Sequence, residues 1–157
     1  LYSSFRVGEN MKNQIIEDLK TAMKNQDKEK LSVIRMLKGA ISLEEINTKK
    51  ELNDDDIIGI IAKQIKTRKE SIVDFEKGNR QDLIDKTKKE IEILSEYMPE
   101  QLSLDEVKKE IDKIFDKIKP TAISDMGKLM KEANATLKGR ADMGTVSSII
   151  KEKLNNL

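Results

Sequence analysis

Apolar residues recur along most of the chain at spacings of three and four, the period of an amphipathic helix. From Met11, "MKNQIIEDLKTAMKNQ" places Ile15, Ile16, Leu19 and Met23 on one face. Asp27 stands where a cap belongs, ahead of a second stripe of Leu31, Ile34, Leu37 and Ile41 that ends near Lys49 and Lys50. "LNDDDIIGII" predicts a third helix capped by Asn53 or Asp54, with Ile57, Ile61, Ile65, Ile72 and Phe75 as its buried row and Gly78-Asn79 as its stop. A fourth helix is expected from about Arg80 to Met98, with Leu83, Ile84, Ile91 and Leu94 inward. Pro99 ends it, because a residue before proline avoids the α region.

Beyond Pro99 the pattern restarts. Ser103 with Glu106 three residues on is a capping box, followed by Leu104, Val107, Ile111, Ile114 and Ile118. Ser124 or Asp125 is placed to cap a sixth helix bearing Met126, Leu129, Met130, Ala133 and Leu137. Gly139 stops that helix, and Asp142 caps a seventh with Val146, Ile149, Ile150 and Leu154 inward. No internal repeat appears, which argues against a solenoid. The expected fold is all-α: an N-terminal four-helix region over 11–99, then a small three-helix domain over 100–157. Residues 1–10, "LYSSFRVGEN", have no helical period and read as a leader or ragged extension, with a presequence remnant as the alternative.

Composition narrows the chemistry. The 157 residues contain neither cysteine nor histidine, so no disulfide, thiol nucleophile, Cys/His zinc site or histidine base can be built. The acids Asp54 to Asp56 open a helix, where they serve as dipole partners, and no metal site or cofactor is expected. No apolar run reaches the roughly 20 residues of a membrane span, so a cytoplasmic location without membrane contact is the first expectation and an organellar matrix the alternative. Thirty basic and 29 acidic residues leave a net charge of +1. Bulk charge therefore cannot hold DNA, which is not an expected partner, and any nucleic-acid contact must come from a local patch. Residues 59–80 carry six cations against three acids, and 120–157 six against four.

Two basic segments offer candidate contacts. In "KQIKTRKES", Lys63, Lys66 and Lys69 lie outside the apolar arc and Arg68 within it. Arg68 fits either a phosphate strip or an ion pair to a glutamate of another helix, and Arg35 and Arg80 are also placed to tie helices together. In the C-terminal part, Lys128 and Lys131 follow Gly127 near one helix start, while Lys138 and Arg140 bracket Gly139 before the next. A helix start with flanking cations attracts phosphate. The competing assignment makes Gly127, Asp125 and Asp142 turn and cap residues only, with Arg140 bound to its own helix carbonyls. No P-loop, dinucleotide fingerprint or aromatic stacking platform is present.

The stretches "KEKLSVIRMLKGAI" (28–41), "KQIKTRKESIVDFEKGNRQDLIDKTKKEIEIL" (63–94), "YMPEQLS" (97–103), "DMGKLMK" (125–131) and "LKGRADMGTVSSIIKEKL" (137–154) together resemble the YqeY family. Its members are free-standing relatives of the tail domain found in one component of the aspartyl/glutamyl-tRNA amidotransferase. The resemblance implies a tRNA-binding accessory module linked by descent to a carbon–nitrogen ligase that uses glutamine as amido donor. The catalytic core of that enzyme has no counterpart in the chain, so no catalytic residue is assigned. Carried over, it makes Lys128, Lys131, Lys138, Gly139 and Arg140 the tRNA-facing candidates, with Lys63, Lys66 and Lys69 as a second strip. Met143 departs from the family, which commonly has a smaller or polar residue there. An alternative function is a protein-interaction module docking on an amidotransferase or aminoacyl-tRNA synthetase.

Overall fold

A computed structural model describes residues 10–157, so the expectation for residues 1–10 lies almost wholly outside the described residues. Among them the chain is all-helical, with seven α-helices and no strand. These are α1 (Met11–Lys24), α2 (Lys28–Thr48), α3 (Asp54–Lys77), α4 (Gln81–Ser95), α5 (Leu104–Ile118), α6 (Met126–Leu137) and α7 (Met143–Asn155), with a 3-10 turn at Ile123–Asp125 before α6. The chain forms two compact units that divide between Met98 and Pro99.

The first unit is built from α1 to α4. Asn10 caps α1 through Asn13 N–H, Asp27 caps α2 through Lys30 N–H, and Asn53 with Asp56 closes a full capping box on α3. The core gathers Met11 and Ile15 of α1, Ile34, Leu37 and Ile41 of α2, Ile57 and Ile61 of α3, and Leu94 of α4. Each such side chain contributes about 1.5–3 kcal/mol by leaving water. The buried face of α1 is shifted from the expected one: Ala22 is buried, Leu19 partly so, and Met23 is 53% exposed. At about 100° per residue Met23 falls at the edge of the arc centred on Ile15 and Ala22.

The row on α3 is fully buried only at Ile57, Ile58 and Ile61, while Ile65, Ile72 and Phe75 are half-buried. Helix length explains this. With 14 residues against 24, α1 spans about 21 Å and cannot line the roughly 36 Å of α3. On α4, Ile93 is buried in addition to Ile84 and Leu94, and Ile91 is only half-buried.

Tyr97 closes this unit beyond the last turn of α4. Its hydroxyl donates to the carboxylate of Asp18, a residue inside the apolar arc of α1. Burial first, then that hydrogen bond, pushes the phenol well above its ordinary range.

The second unit is built from α5 to α7 around Val107, Ile111, Ile114, Leu129, Leu137 and Ile150. Ser103 and Glu106 form the expected capping box. Leu104, expected inward, is 54% exposed, and Phe115 is buried instead. Lys153 of α7 bonds Asp112 at 2.7 Å and lies 5.0 Å from the centre of the Phe115 ring, which pins α7 to α5. Met143 packs against this core, so the family departure at that position is absorbed by burial.

Candidate nucleic-acid interface

Gly139 adopts φ 79°, the left-handed conformation that ends a helix and that a side chain resists. The N–H groups of Arg140 and Ala141 both donate to Leu137 O, at 2.9 and 3.2 Å, completing the helix stop. The turn is then tied to the segment before α5. Leu102 N–H donates to Arg140 O at 2.9 Å, and the Gln101 side-chain amide donates to Gly139 O. These two clamps join residues 38 apart, and nothing in the local pattern of Gln101 or Leu102 announces them.

Gly139 is buried, Lys138 is exposed and Arg140 is half-buried. Both Arg140 backbone groups are used by the turn, but its guanidinium has no hydrogen bond and no ion pair among the described residues. It is not bound to helix carbonyls. Its charge acts through space on Glu106. That carboxyl lies below its ordinary value of 4.5, chiefly through the Ser103 backbone and side-chain hydrogen bonds, with Arg140 a lesser contributor.

Asp142 caps α7, accepting from Thr145 N–H at 3.0 Å and from the Thr145 hydroxyl at 2.9 Å. A carboxylate therefore already holds the α7 start, and attraction for an anion at this turn would come from Lys138 and Arg140. The α6 start differs. Asp125 does not cap α6, as the sequence suggested. Its carboxylate turns back to accept from Thr121 N–H at 2.8 Å and Ala122 N–H at 3.2 Å. The intervening 3-10 turn rotates it away from the first turn of α6. These two bonds, then the nearby Lys128 charge, hold Asp125 below its ordinary range.

Gly127 is exposed, and a Cβ placed on it would meet no atom within 4 Å, so packing within the chain does not require glycine there. Lys128 and Lys131 are exposed beside it. Ten residues of helix separate Lys128 from Lys138, about 15 Å along the axis. The fold thus spreads the four cations along α6: Lys128 in its first turn, Lys131 at its middle, and Lys138 and Arg140 past its last turn. No single phosphate can touch both Lys128 and Lys138, whereas that length spans about four to five nucleotide rises of a strand.

In the first unit Lys63, Lys66 and Lys69 are exposed along α3. Arg68 is not part of such a strip. Its Nε reaches Glu90 on α4 at 3.3 Å, Nη1 donates to Gln64 O at 3.3 Å, and Nη2 approaches Met36 Sδ on α2 at 3.2 Å. Its side chain is 12% exposed. Arg80 pairs with Asp82 two residues on and ties no helices together. Arg35 is exposed, without an ion pair among the described residues.

No helix of the described residues is long and apolar enough to cross a membrane. Among known proteins, the chain is similar to fungal proteins named "Altered inheritance of mitochondria protein 41, mitochondrial". That of Pyrenophora tritici-repentis is 31% identical over 158 aligned residues, covering 96% of this chain and 85% of the relative. That of Vanderwaltozyma polyspora is 28% identical over 149, covering 90% and 80%. That of Kluyveromyces lactis is 39% identical over 82, covering 52% and 44%. The model of the family described as Yqey-like protein matches residues 12–154, and the chain belongs to that family.

Proposed function

We propose that the chain is an accessory module that grips tRNA by its phosphates, with the Lys138–Arg140 turn as the principal contact. The observation that carries this reading is the guanidinium of Arg140, unbonded among the described residues, on a turn whose backbone is clamped by Gln101 and Leu102. A rigid turn loses little entropy when its side chains meet a ligand. Lys131 at the middle of α6 and Lys128 in its first turn extend the contact along a strand, and Lys63, Lys66 and Lys69 form a second strip on α3. A site of this kind reads phosphates and A-form shape rather than base edges.

In this reading α1–α4 make a four-helix domain and α5–α7 a tail-like three-helix domain. The family resemblance supports a place beside glutamine-dependent amidation of tRNA-bound carboxylates, with amide transfer carried by other chains. The mitochondrial names of the relatives support an organellar location.

The test is fluorescence anisotropy with labelled bulk tRNA. With about four phosphate contacts, affinity should fall about a hundredfold between about 50 and 200 mM salt. Arg140→Glu should weaken binding across all tRNAs and lower the salt slope by about one. Binding that is absent, insensitive to salt or unchanged by Arg140→Glu would overturn the proposal.

A further inference from the structure

The chain has seven methionines and no cysteine, so thioethers are its only sulfurs. Met11 and Met98 are buried, and Met126, Met130 and Met143 pack partly buried against the second core. Met23 and Met36 stand in solvent, 53 and 54% exposed. Oxidants reach such sulfurs first. The two differ in what faces the sulfur. Met23 Sδ has no hydrogen-bonding partner among the described residues. Met36 Sδ accepts from Arg68 Nη2 at 3.2 Å, a contact that runs from α2 to α3.

Arg68 brings a mismatched donor to that contact. A guanidinium makes its strongest bonds to oxygen acceptors, above all carboxylates, whereas a thioether is a weak acceptor. Nε is matched to the Glu90 carboxylate and Nη1 to Gln64 O. Among the described residues Nη2 meets only sulfur. The side chain is largely withdrawn from water, so solvent does little to make up for that weak acceptor.

One oxygen on Sδ removes the mismatch. A sulfoxide oxygen carries partial negative charge and is a strong acceptor, and it is bonded to the very atom that Arg68 already touches. Methionine is unbranched with three rotatable bonds, so its sulfur can draw back to admit the oxygen. Space is open on that side of α2: a Cβ on Gly39, three residues on, would meet nothing within 4 Å.

We propose that Met36 is an oxidation site for peroxide and that the Arg68 guanidinium binds its sulfoxide oxygen, tightening the tie between α2 and the α3–α4 pair. The sulfur lone pair attacks one peroxide oxygen. The S–O bond forms as the O–O bond breaks, and sulfur gives up two electrons to the peroxide. The departing hydroxide takes the proton of the transferred hydroxyl and leaves as water. Sulfoxide reductases reverse the change, so the brace can be set and released. The inference is independent of the tRNA reading, which uses other residues.

Methionine oxidation ordinarily weakens a fold, because it sets a polar group among apolar ones. Here it should strengthen one. The test treats the full chain with hydrogen peroxide, locates the added oxygen by peptide mass spectrometry and measures urea denaturation. Met23→Leu leaves Met36 as the exposed sulfur, and Met36→Leu leaves Met23. In the Met23→Leu chain oxidation should raise the folding constant about tenfold, as a hydrogen bond to a charged group does, and move the urea midpoint up. In the Met36→Leu chain it should leave the midpoint in place or lower it. Adding Arg68→Ala to Met23→Leu should abolish the gain, and the four forms close a thermodynamic cycle.

Arg68→Ala itself weakens the fold, so a second measurement keeps the arginine. In isotope-labelled protein the Arg68 guanidinium N–H signals should shift when Met36 is oxidised and stay in place when Met23 is. A midpoint that falls or holds on oxidation of Met36, an equal gain without Arg68, or unmoved guanidinium signals would overturn the inference. Oxidation of buried Met11 or Met98 ahead of Met36 would do the same.

Discussion

Arg68 and Arg140 stand beside similar apolar rows, and the fold uses them in opposite ways. Arg68 lies mid-helix on α3, facing α4 and α2, and every part of its guanidinium is engaged by Glu90, Gln64 O or Met36. Arg140 lies one residue past a helix stop. There its backbone is consumed by Leu137 and Leu102, and its side chain is left over. Glu106, on whose carboxylate its charge acts, is already spent on the Ser103 capping box. A neighbouring element with an unspent acceptor turns an arginine into a strut; a neighbour whose acceptors are occupied leaves it available for a ligand.

The largest expected effect separates the two arginines by stability. Arg68→Ala leaves Glu90 partly buried without its cation and removes the packed stem, costing about 1–3 kcal/mol. Arg140→Ala should stay within about 0.5 kcal/mol. Urea denaturation of both variants measures this. tRNA affinity should rank them in reverse, with Arg140→Ala the weaker binder. Equal stability losses would erase the distinction between strut and free cation.

A smaller effect tests how far Arg140 is committed to Glu106. The Glu106 carboxyl lies below 4.5, first through the backbone and side chain of Ser103, with Arg140 a later cause. A carboxyl depressed in the folded state stabilises above its unfolded value, and that contribution fades as pH falls through the lower folded value. The chain should therefore lose stability below about pH 4.5 partly through Glu106, and Glu106→Gln should flatten that loss. NMR titration should show Arg140→Ala raising the Glu106 value slightly and Ser103→Ala raising it more. A larger shift from Arg140→Ala would mean that the guanidinium is held by Glu106 and not free.

Most helices can be read from the sequence because caps and stripes are local. Asn53, Ser103, Asp142 and Gly139 act within a few residues of themselves, and each does what its position suggests. The far end of the α3 row departs from its stripe because burial depends on where the partner helix stops, Met23 departs because it lies at the edge of the buried arc of α1, and Leu104 is the first residue of α5. Asp125 departs from its expected cap because a 3-10 turn, too short to leave a period, redirects its side chain. Of the interface, the cations themselves are visible in the sequence. The clamps from Gln101 and Leu102, the Glu90 partner of Arg68 and the Asp18 partner of Tyr97 are not, because each joins residues distant in sequence. The exposed apolar residues of α2, Met36, Leu43 and Ile46, are hidden for another reason: two apolar faces on one helix cancel in any one-sided periodicity.

The smallest effect concerns the other end of α6. Gly127 is the second residue of that helix, has open space where a side chain would go, and is not among the residues with positive φ. Alanine there should leave stability unchanged or raise it by up to about 0.5 kcal/mol, since glycine disfavours a helix. A methyl group would nonetheless stand between the backbone and any phosphate approaching the α6 start. If the strand runs along α6, Gly127→Ala should weaken tRNA binding severalfold while the melting temperature holds or rises. If binding is untouched, the contact is confined to the Lys138–Arg140 end, and Lys128 and Lys131 act only as distant charges. Those two lysines would then be replaceable by each other's charge at neighbouring positions, whereas Arg140 on its clamped turn would not.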